Sequence, residues 1–347
     1  MKIQAQKLTG AYIEILQAIG ETQEQAQIAA QMMVKSDARG VATHGSHMLT
    51  LIYNRRKVGQ LRFPTTIDVL QDKGAIALID GNDGLGQVAG VKAARLAAQK
   101  AKEFGIGMVS IRNTNNVGTL APFTEMAARE GQISIFCCNA SPAMSAWGGM
   151  EQFVGTQPFA ICVYTGKKLL FSADMATTEV ARGKIRKAAR DGKPIPQGWA
   201  LDEEGNPTTD AAAAIKGVLL PIGGPKGSAI ALAVDIMSGM ISGSNVAPDV
   251  RAIHYTEGEA GVGGCFISID IAAFTPLSEF ESRMDSYIQK IRSLKKAKGF
   301  DRILLPGEFK QEKEQKSMNE GVELDDATLE ALDTILAEIN SPTRLRG

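Results

Sequence analysis

Only three histidines occur in 347 residues, so their placement carries weight. Imidazole is the side chain best matched to proton transfer near neutral pH. His44 lies in Ser36-Asp37-Ala38-Arg39-Gly40-Val41-Ala42-Thr43-His44-Gly45, a polar junction between two helical stretches. A proton donor would be pre-organised there; the plainer alternative is that His44 caps the following helix. His47 is three residues on, so both rings can share a face. A metal needs a third and fourth ligand, and only His254 remains among the histidines, so no metal site is expected. Asp174, in Phe171-Ser172-Ala173-Asp174-Met175-Ala176-Thr177-Thr178, follows an apolar strand and precedes a helix. Its carboxylate would orient an imidazole or bond a cofactor, or serve as an N-cap. Pro221-Ile222-Gly223-Gly224-Pro225-Lys226-Gly227-Ser228 leads into an apolar helix. Free N–H groups, glycines and Lys226 together suit a phosphate, unless this is a glycine turn with a solvated lysine. The spacing is not that of a Walker A loop.

Those residues need elements to hold them. Thr22 with Gln25 has capping-box spacing, and Ala26, Ala29, Met32 and Met33 form a helical stripe that Gly40 stops. A second helix is expected over 44–53. Strands are expected over 66–70 and 75–80, joined by a hairpin at Asp72-Lys73-Gly74. The middle then alternates: a helix over 88–104, a strand over 107–111, a helix over 122–130 and a strand over 132–138. Strands over 159–163 and 169–171, a helix over 178–191, a helix from 227 to 241 and a strand over 265–271 follow. Helices over 277–298 and 326–340 close the chain. Helix-rich ends around an α/β middle predict one lobe from residues 1–62 with 275–347, and a sheet domain over 63–274. Gly84-Leu85-Gly86-Gln87-Val88-Ala89-Gly90 tempts toward a Rossmann fingerprint. Its last spacing is one residue too long, and Ile111-Arg112-Asn113 stands where the acidic residue belongs. The fold is therefore expected to be α/β but not Rossmann.

Composition narrows the classes. Lys+Arg and Asp+Glu both number 38, for a net charge of zero, without the basic footprint of a nucleic-acid binder. No apolar run approaches the ~18 residues of a membrane span, and the first residues do not read as a secretory signal. A cytoplasmic chain with no membrane or nucleic-acid partner is expected. Cys137, Cys138, Cys162 and Cys265 have no C-x-x-C spacing and read as small buried hydrophobes.

In order along the chain stand Asp37-Ala38-Arg39-Gly40 with Thr43-His44-Gly45, and Gly84-Leu85-Gly86-Gln87. Next come Gly148-Gly149 with Gly155-Thr156-Gln157-Pro158, and Asp174-Met175-Ala176-Thr177. Ile195-Pro196-Gln197-Gly198-Trp199-Ala200-Leu201-Asp202, Gly224-Pro225-Lys226-Gly227 and Leu305-Pro306-Gly307-Glu308 complete the set. Together they resemble the malate/L-lactate dehydrogenase (type-2) family of NAD(P)-dependent oxidoreductases, over about residues 5 to 340. The family also holds ureidoglycolate and sulfolactate dehydrogenases, a diketogulonate reductase and cyclic-ketimine reductases. The resemblance implies a largely antiparallel central sheet that binds the dinucleotide, beside a helical lobe built from both termini. It also implies a homodimer with the active site near the subunit contact. It makes His44 the proton donor or acceptor while hydride passes between a nicotinamide and a 2-oxo or 2-hydroxy acid. NAD or NADP would be contacted by Ala140, Thr156, Asp174, Met175, Ala176, Lys226, Pro306, Gly307 and Glu308.

Two positions depart from that pattern. Many relatives carry an arginine four residues after the His44 position, suited to a carboxylate; here it is Met48, and a thioether cannot replace a guanidinium fork. Relatives also commonly have a histidine where Asn116 stands; an amide can hold a carbonyl but cannot titrate. The implied consequence is an altered substrate, with Asn116 and Asp174 beside His44 in the catalytic set and Thr43 and Met48 lining the substrate pocket. Arg39, Arg55 and Arg56 are candidate replacements for the missing cation, and Trp147 would pack on the substrate. For a 2′-phosphate, Arg112, Arg182 and Lys184 are all conceivable. The alternatives are a cyclic-ketimine reductase and a catalytically silent relative that binds a dinucleotide or metabolite.

Overall fold

The structure, a computed structural model, describes residues 1–56, 60–251 and 258–346. Its first part runs β1 (Lys2–Ile3), α1 (Ala5–Ala18), α2 (Gln23–Ala38), α3 (Ser46–Arg56), β2 (Asp68–Lys73), β3 (Ile76–Asp80) and α4 (Gly86–Phe104). The middle adds β4 (Ile106–Thr114), α5 (Ala121–Ala128), β5 (Gln132–Cys138), β6 (Phe159–Val163), β7 (Phe171–Met175) and α6 (Arg182–Arg190). Then come β8 (Ala200–Leu201), α7 (Ala211–Lys216), β9 (Val218–Leu219), α8 (Pro225–Asp235) and β10 (Val262–Asp270). The last elements are α9 (Leu277–Ser293), α10 (Glu308–Glu320), β11 (Val322–Glu323) and α11 (Asp326–Glu338).

Seven strands form the central sheet in the order β2-β3-β4-β10-β5-β6-β7. Only β3 and β4 pair in parallel, because α4 crosses over between them; the other pairs are antiparallel. This mixed, mostly antiparallel sheet is the non-Rossmann α/β architecture anticipated above. Strand side chains alternate between faces. Val109, Ile111, Phe136, Ala160 and Phe266 meet α4 on one face, whose run of alanines allows a close approach. Gly90 is needed in α4: a Cβ there would sit 2.8 Å from the Phe123 ring.

A second core joins the two ends of the chain. Leu8, Tyr12, Ile15 and Leu16 of α1 and Met33 of α2 share one buried cluster with Leu329, Leu332 and Leu336 of α11. The pairing of Ile3 with Val322 closes it. The capping box at Thr22 forms as its spacing predicts. By contrast, α9 has no buried residue and lies beside the sheet domain, with Leu277 against Gly131 and Glu281 on Tyr164.

Three local expectations change. Asp174 is inside β7, opposite Ala160, rather than beyond a strand ending at 171. The polar pair Ser172 and Asp174 fits the covered face because each side chain has a partner there. The helix expected over 178–191 starts at Arg182, since Thr178 still bridges to Pro221. Finally, α10 was not anticipated: its sequence is almost wholly polar and only Glu308 is buried. Among the described residues no helix is long and apolar enough to cross a membrane.

Candidate active site

His44 closes a single 3-10 turn, Ala42–His44, between α2 and α3. What fixes that turn is a buried carboxylate. Asp37, near the end of α2, accepts the Ser46 N–H at 3.0 and 2.9 Å, the Ser46 Oγ at 2.8 Å and the Tyr12 Oη at 2.8 Å. Burial pushes its pKa up to about 6, although bonds from Ser46 and Tyr12 hold it down in part. A Cβ at Gly45 would overlap the same carboxylate. Only glycine therefore lets the chain pass from His44 into α3. A buried anion at the first N–H of α3 also suits the positive end of that helix.

The imidazole is half-buried, and its Nδ1 is enclosed with no hydrogen-bond partner. Burial lowers its pKa below the ordinary 6.5; Asp174 opposes this and Lys310 adds to it. Asp174 is itself anchored, its Oδ2 accepting the N–H groups of Leu120 at 3.1 Å and Ala121 at 3.0 Å at the start of α5. Asn116 arrives from the loop after β4. Its Oδ1 takes the Gly118 N–H at 2.8 Å, and Gly118 lies against the His44 backbone, 3.6 Å from its carbonyl oxygen measured from an ideal Cβ. Elements distant in sequence thus bring the loop that carries Asn116 against the His44 backbone and set Asp174 where its charge acts on the imidazole. Thr43 is exposed and faces Gly183 at the start of α6.

A second wall is made of glycine-rich main chain. The Ala140 N–H donates to Gln157 Oε1 at 2.7 Å, and Gly155 packs so tightly on the Ala140 carbonyl that a Cβ has no room. The Thr156 carbonyl accepts both the N–H and Oγ1 of Thr177, at 2.9 Å each, tying this loop to the segment after β7. Met175 is exposed at the end of β7 and Ala176 half-buried. Trp147 lies over Gly224, its ring 3.1 Å from where a Cβ would stand, and its backbone N–H donates to Ser228 Oγ at 2.9 Å. Lys226 is exposed in the first turn of α8, where N–H groups lack intrahelical acceptors. The Pro306 carbonyl accepts the Ser172 N–H at 3.0 Å, and Gly307, at φ +82°, is pressed onto the Ser172 carbonyl. Glu308 bonds Arg292 at 3.0 Å and the Leu305 N–H at 2.9 Å, so it holds its own loop.

Several candidate cations are already committed. Arg39 is buried between Glu125 and Glu314, with Glu125 in turn accepting from Ser172. Burial disfavours its charge, but the two glutamates overcome this and hold it more firmly protonated than an ordinary guanidinium. It is not available to a substrate, which corrects the expectation for position 39. Met48 is part of the two-ended core rather than a pocket wall. Arg56 lies 5.1 Å from the Tyr53 ring centre. Arg55, by contrast, is buried at the far end of α3 with no hydrogen-bond partner for its guanidinium among the described residues, and Asp83 is the charge it feels. Arg112 bonds Asp80 at 2.7 Å, Arg182 donates to the Pro142 carbonyl at 3.3 Å, and Lys184 is exposed. His254 lies outside the described residues. All four cysteines are buried and free. Sequence reasoning missed Lys310, which follows the Pro306-Gly307-Glu308 signal by two residues. It also gave no role to Asp37, although it noted its motif.

The open N–H groups and lysine at the start of α8 can receive a phosphate, and Trp147 lies exposed beside them over Gly224. The family model described as malate/L-lactate dehydrogenase matches residues 3–333. L-sulfolactate dehydrogenase of Methanocaldococcus jannaschii is 38% identical over 327 residues, 94% of each chain. Its solved structure superimposes with a TM-score of 0.93 over 98% of both chains. Malate dehydrogenase of Pyrococcus horikoshii is 37% identical over 316 residues, 89% of this chain and 87% of that one. The malate dehydrogenase structure from Entamoeba histolytica is 28% identical and covers 99% of both chains at a TM-score of 0.94.

Proposed function

This chain belongs to the malate/L-lactate dehydrogenase family of NAD(P)-dependent oxidoreductases acting on CH–OH groups, and from that premise we propose that it interconverts a 2-hydroxy acid and its 2-oxo acid with His44 as the proton acceptor and donor. A bound nicotinamide supplies or takes the hydride; the protein's task is to orient the reactants and move the proton. In oxidation, His44 takes the hydroxyl proton; in reduction it returns it to the developing alkoxide. Asn116 offers its amide N–H to the carbonyl oxygen, since its own oxygen is committed to Gly118. Asp174 favours the imidazolium once formed and stays in place because α5 holds it. Trp147 would close the substrate side.

Ala140, Thr156, Met175, Ala176 and Lys226 would hold the cofactor, with the Pro306-Gly307 main chain. Relatives are named for NAD(+) and for NADP(+). The reading takes the active form as a homodimer in the cytoplasm. The dimer is supported by apolar surface: Met108, Ile133, Ile135, Ile161 and Ile267 are only half-buried on the sheet face away from α4. Ile230 of α8, with Ile236, Met240 and Ile241 just beyond it, is exposed.

The observation that carries the reading is His44 with an enclosed, unpartnered Nδ1 beside Asp174. His44→Ala should lower turnover by about 10²- to 10⁴-fold. The rise in melting temperature given by NADH or NADPH should persist. Turnover that survives the substitution would remove His44 from the mechanism.

A further inference from the structure

The proposed reaction leaves the acid's anionic group unaccounted for, since position 48 holds a methionine packed in the core. We propose that Lys310, on α10, receives the carboxylate next to the reacting carbon and so sets the preference for acid substrates; this inference rests on the functional reading above.

Three observations converge on it. The first is placement. One turn beyond Lys310 on the same face of α10, Glu314 bonds Arg39, and between them Lys313 reaches Gly40. This side of α10 therefore runs along the segment leading from α2 to the His44 turn. Just before Lys310, Gly307 seats on Ser172, two residues from Asp174 in β7. The residues flanking Lys310 on α10 thus touch both the segment leading to His44 and the strand that carries Asp174, and the lysine's charge acts on the imidazole.

The second is partnership. The neighbouring charges on α10 are committed: Glu308 to Arg292, Glu312 to Arg302 and Glu314 to Arg39. Lys310 is half-buried, yet has no ion pair or hydrogen bond among the described residues. It is also in the first turn of α10, where N–H groups point outward and the helix favours an anion.

The third is elimination. Arg39, Arg56, Arg112 and Arg182 have the partners given above. Arg55 is roughly 14 Å along α3 from Ser46 at helical rise, with Met48 and Ile52 of the packed core between. A lysine can bind a carboxylate as a point charge without a fork. The product of oxidation would then be held by the same charge that keeps His44 from retaining its proton.

The test measures kcat/KM for a panel of 2-oxo acids and for the matching 2-oxo amides, whose C1 group is neutral. Lys310→Met should reduce the acid-to-amide ratio about 10- to 100-fold, as expected for a lost charge-assisted hydrogen bond. Lys310→Arg should recover most of it. Fluorescence titration with NADH should give a dissociation constant within about twofold of wild type. A ratio that stays constant while both activities fall, or no recovery in the arginine variant, would overturn the assignment. Wild type that reduces none of the acids would instead refute the functional reading, and the inference with it.

Discussion

Replacing Arg39 by methionine separates two roles for this residue. As a substrate ligand, Arg39 would be lost with a rise in KM and little change in stability. The structure assigns it to packing instead. Its side chain is 3% exposed, as is that of Glu125, and Glu314 is 19% exposed. Removing the guanidinium strands two carboxylates facing one vacated position. Breaking a buried pair in this way costs about 3–5 kcal/mol, a large part of the roughly 5–15 kcal/mol by which domains are stable. The damage has a local signature, because Glu125 also accepts from Ser172 at 2.9 Å and so reaches β7. Glu125→Gln in the Arg39→Met background removes one stranded charge and keeps an acceptor for Ser172. Urea unfolding of the single and double variants should show a coupling of at least about 1.5 kcal/mol, with the double variant less damaged than the sum. An Arg39→Met protein that loses under about 1 kcal/mol while its KM for acids rises would refute the packing role.

Two further outcomes follow from the site. The pKa of His44 is lowered below 6.5 in the folded chain, so the unfolded chain binds the extra proton and stability falls as pH drops through 6.5. His44→Asn should flatten the melting-temperature slope between about pH 7 and about pH 5; the acid limb of kcat/KM for oxidation should also lie below 6.5 in wild type, read from a pH–rate profile. Gly307→Ala meets both a φ of +82° and the Ser172 carbonyl, so it should displace the 305–308 loop and raise the NADH dissociation constant several-fold in a fluorescence titration. Gly243→Ala, at φ +73° with nothing near its Cβ, bears only the backbone strain, about 1 kcal/mol, and should leave that constant unchanged.

What could be read in the sequence follows apolar periodicity and capping chemistry. The stripe at Ala26, Ala29, Met32 and Met33 and the box at Thr22 give α2 directly, and the alanines of α4 and the apolar runs of β5 and β10 are as plain. The rejected glycine spacing at Gly84 to Gly90 also proved a sound guide, since the sheet is mostly antiparallel. Polar side chains hid the rest. Ser172 and Asp174 lie within β7 on a covered face because Glu125 and the start of α5 bond them, and such partners lie about 50 residues away in sequence. The helix α10 has no apolar stripe at all; its docking depends on Arg39, Gly40 and Leu170, none of which its own residues announce. Arg39 looked like a free cation for the same reason: its two glutamates are 86 and 275 residues distant.

The two departures from the family pattern then have a common physical account. On α3, position 48 shares the two-ended core with Ile52, Leu85 and Val88, where a methionine packs without a charge to be solvated. An arginine there would have to carry its guanidinium out of that core. On α10 the residues are already polar and half in water, so a lysine there keeps its ammonium solvated, while the helix start favours the anion it would receive rather than the lysine itself. On the proposed mechanism the imidazole would gain as well, since the Lys310 charge lowers its pKa while Asp174 would steady the imidazolium formed. Asn116 cannot titrate, so in the proposed site it would add a hydrogen bond and no charge. If the cation and the base act as one unit, as proposed, Lys310→Met should move the substrate preference and the pH profile together.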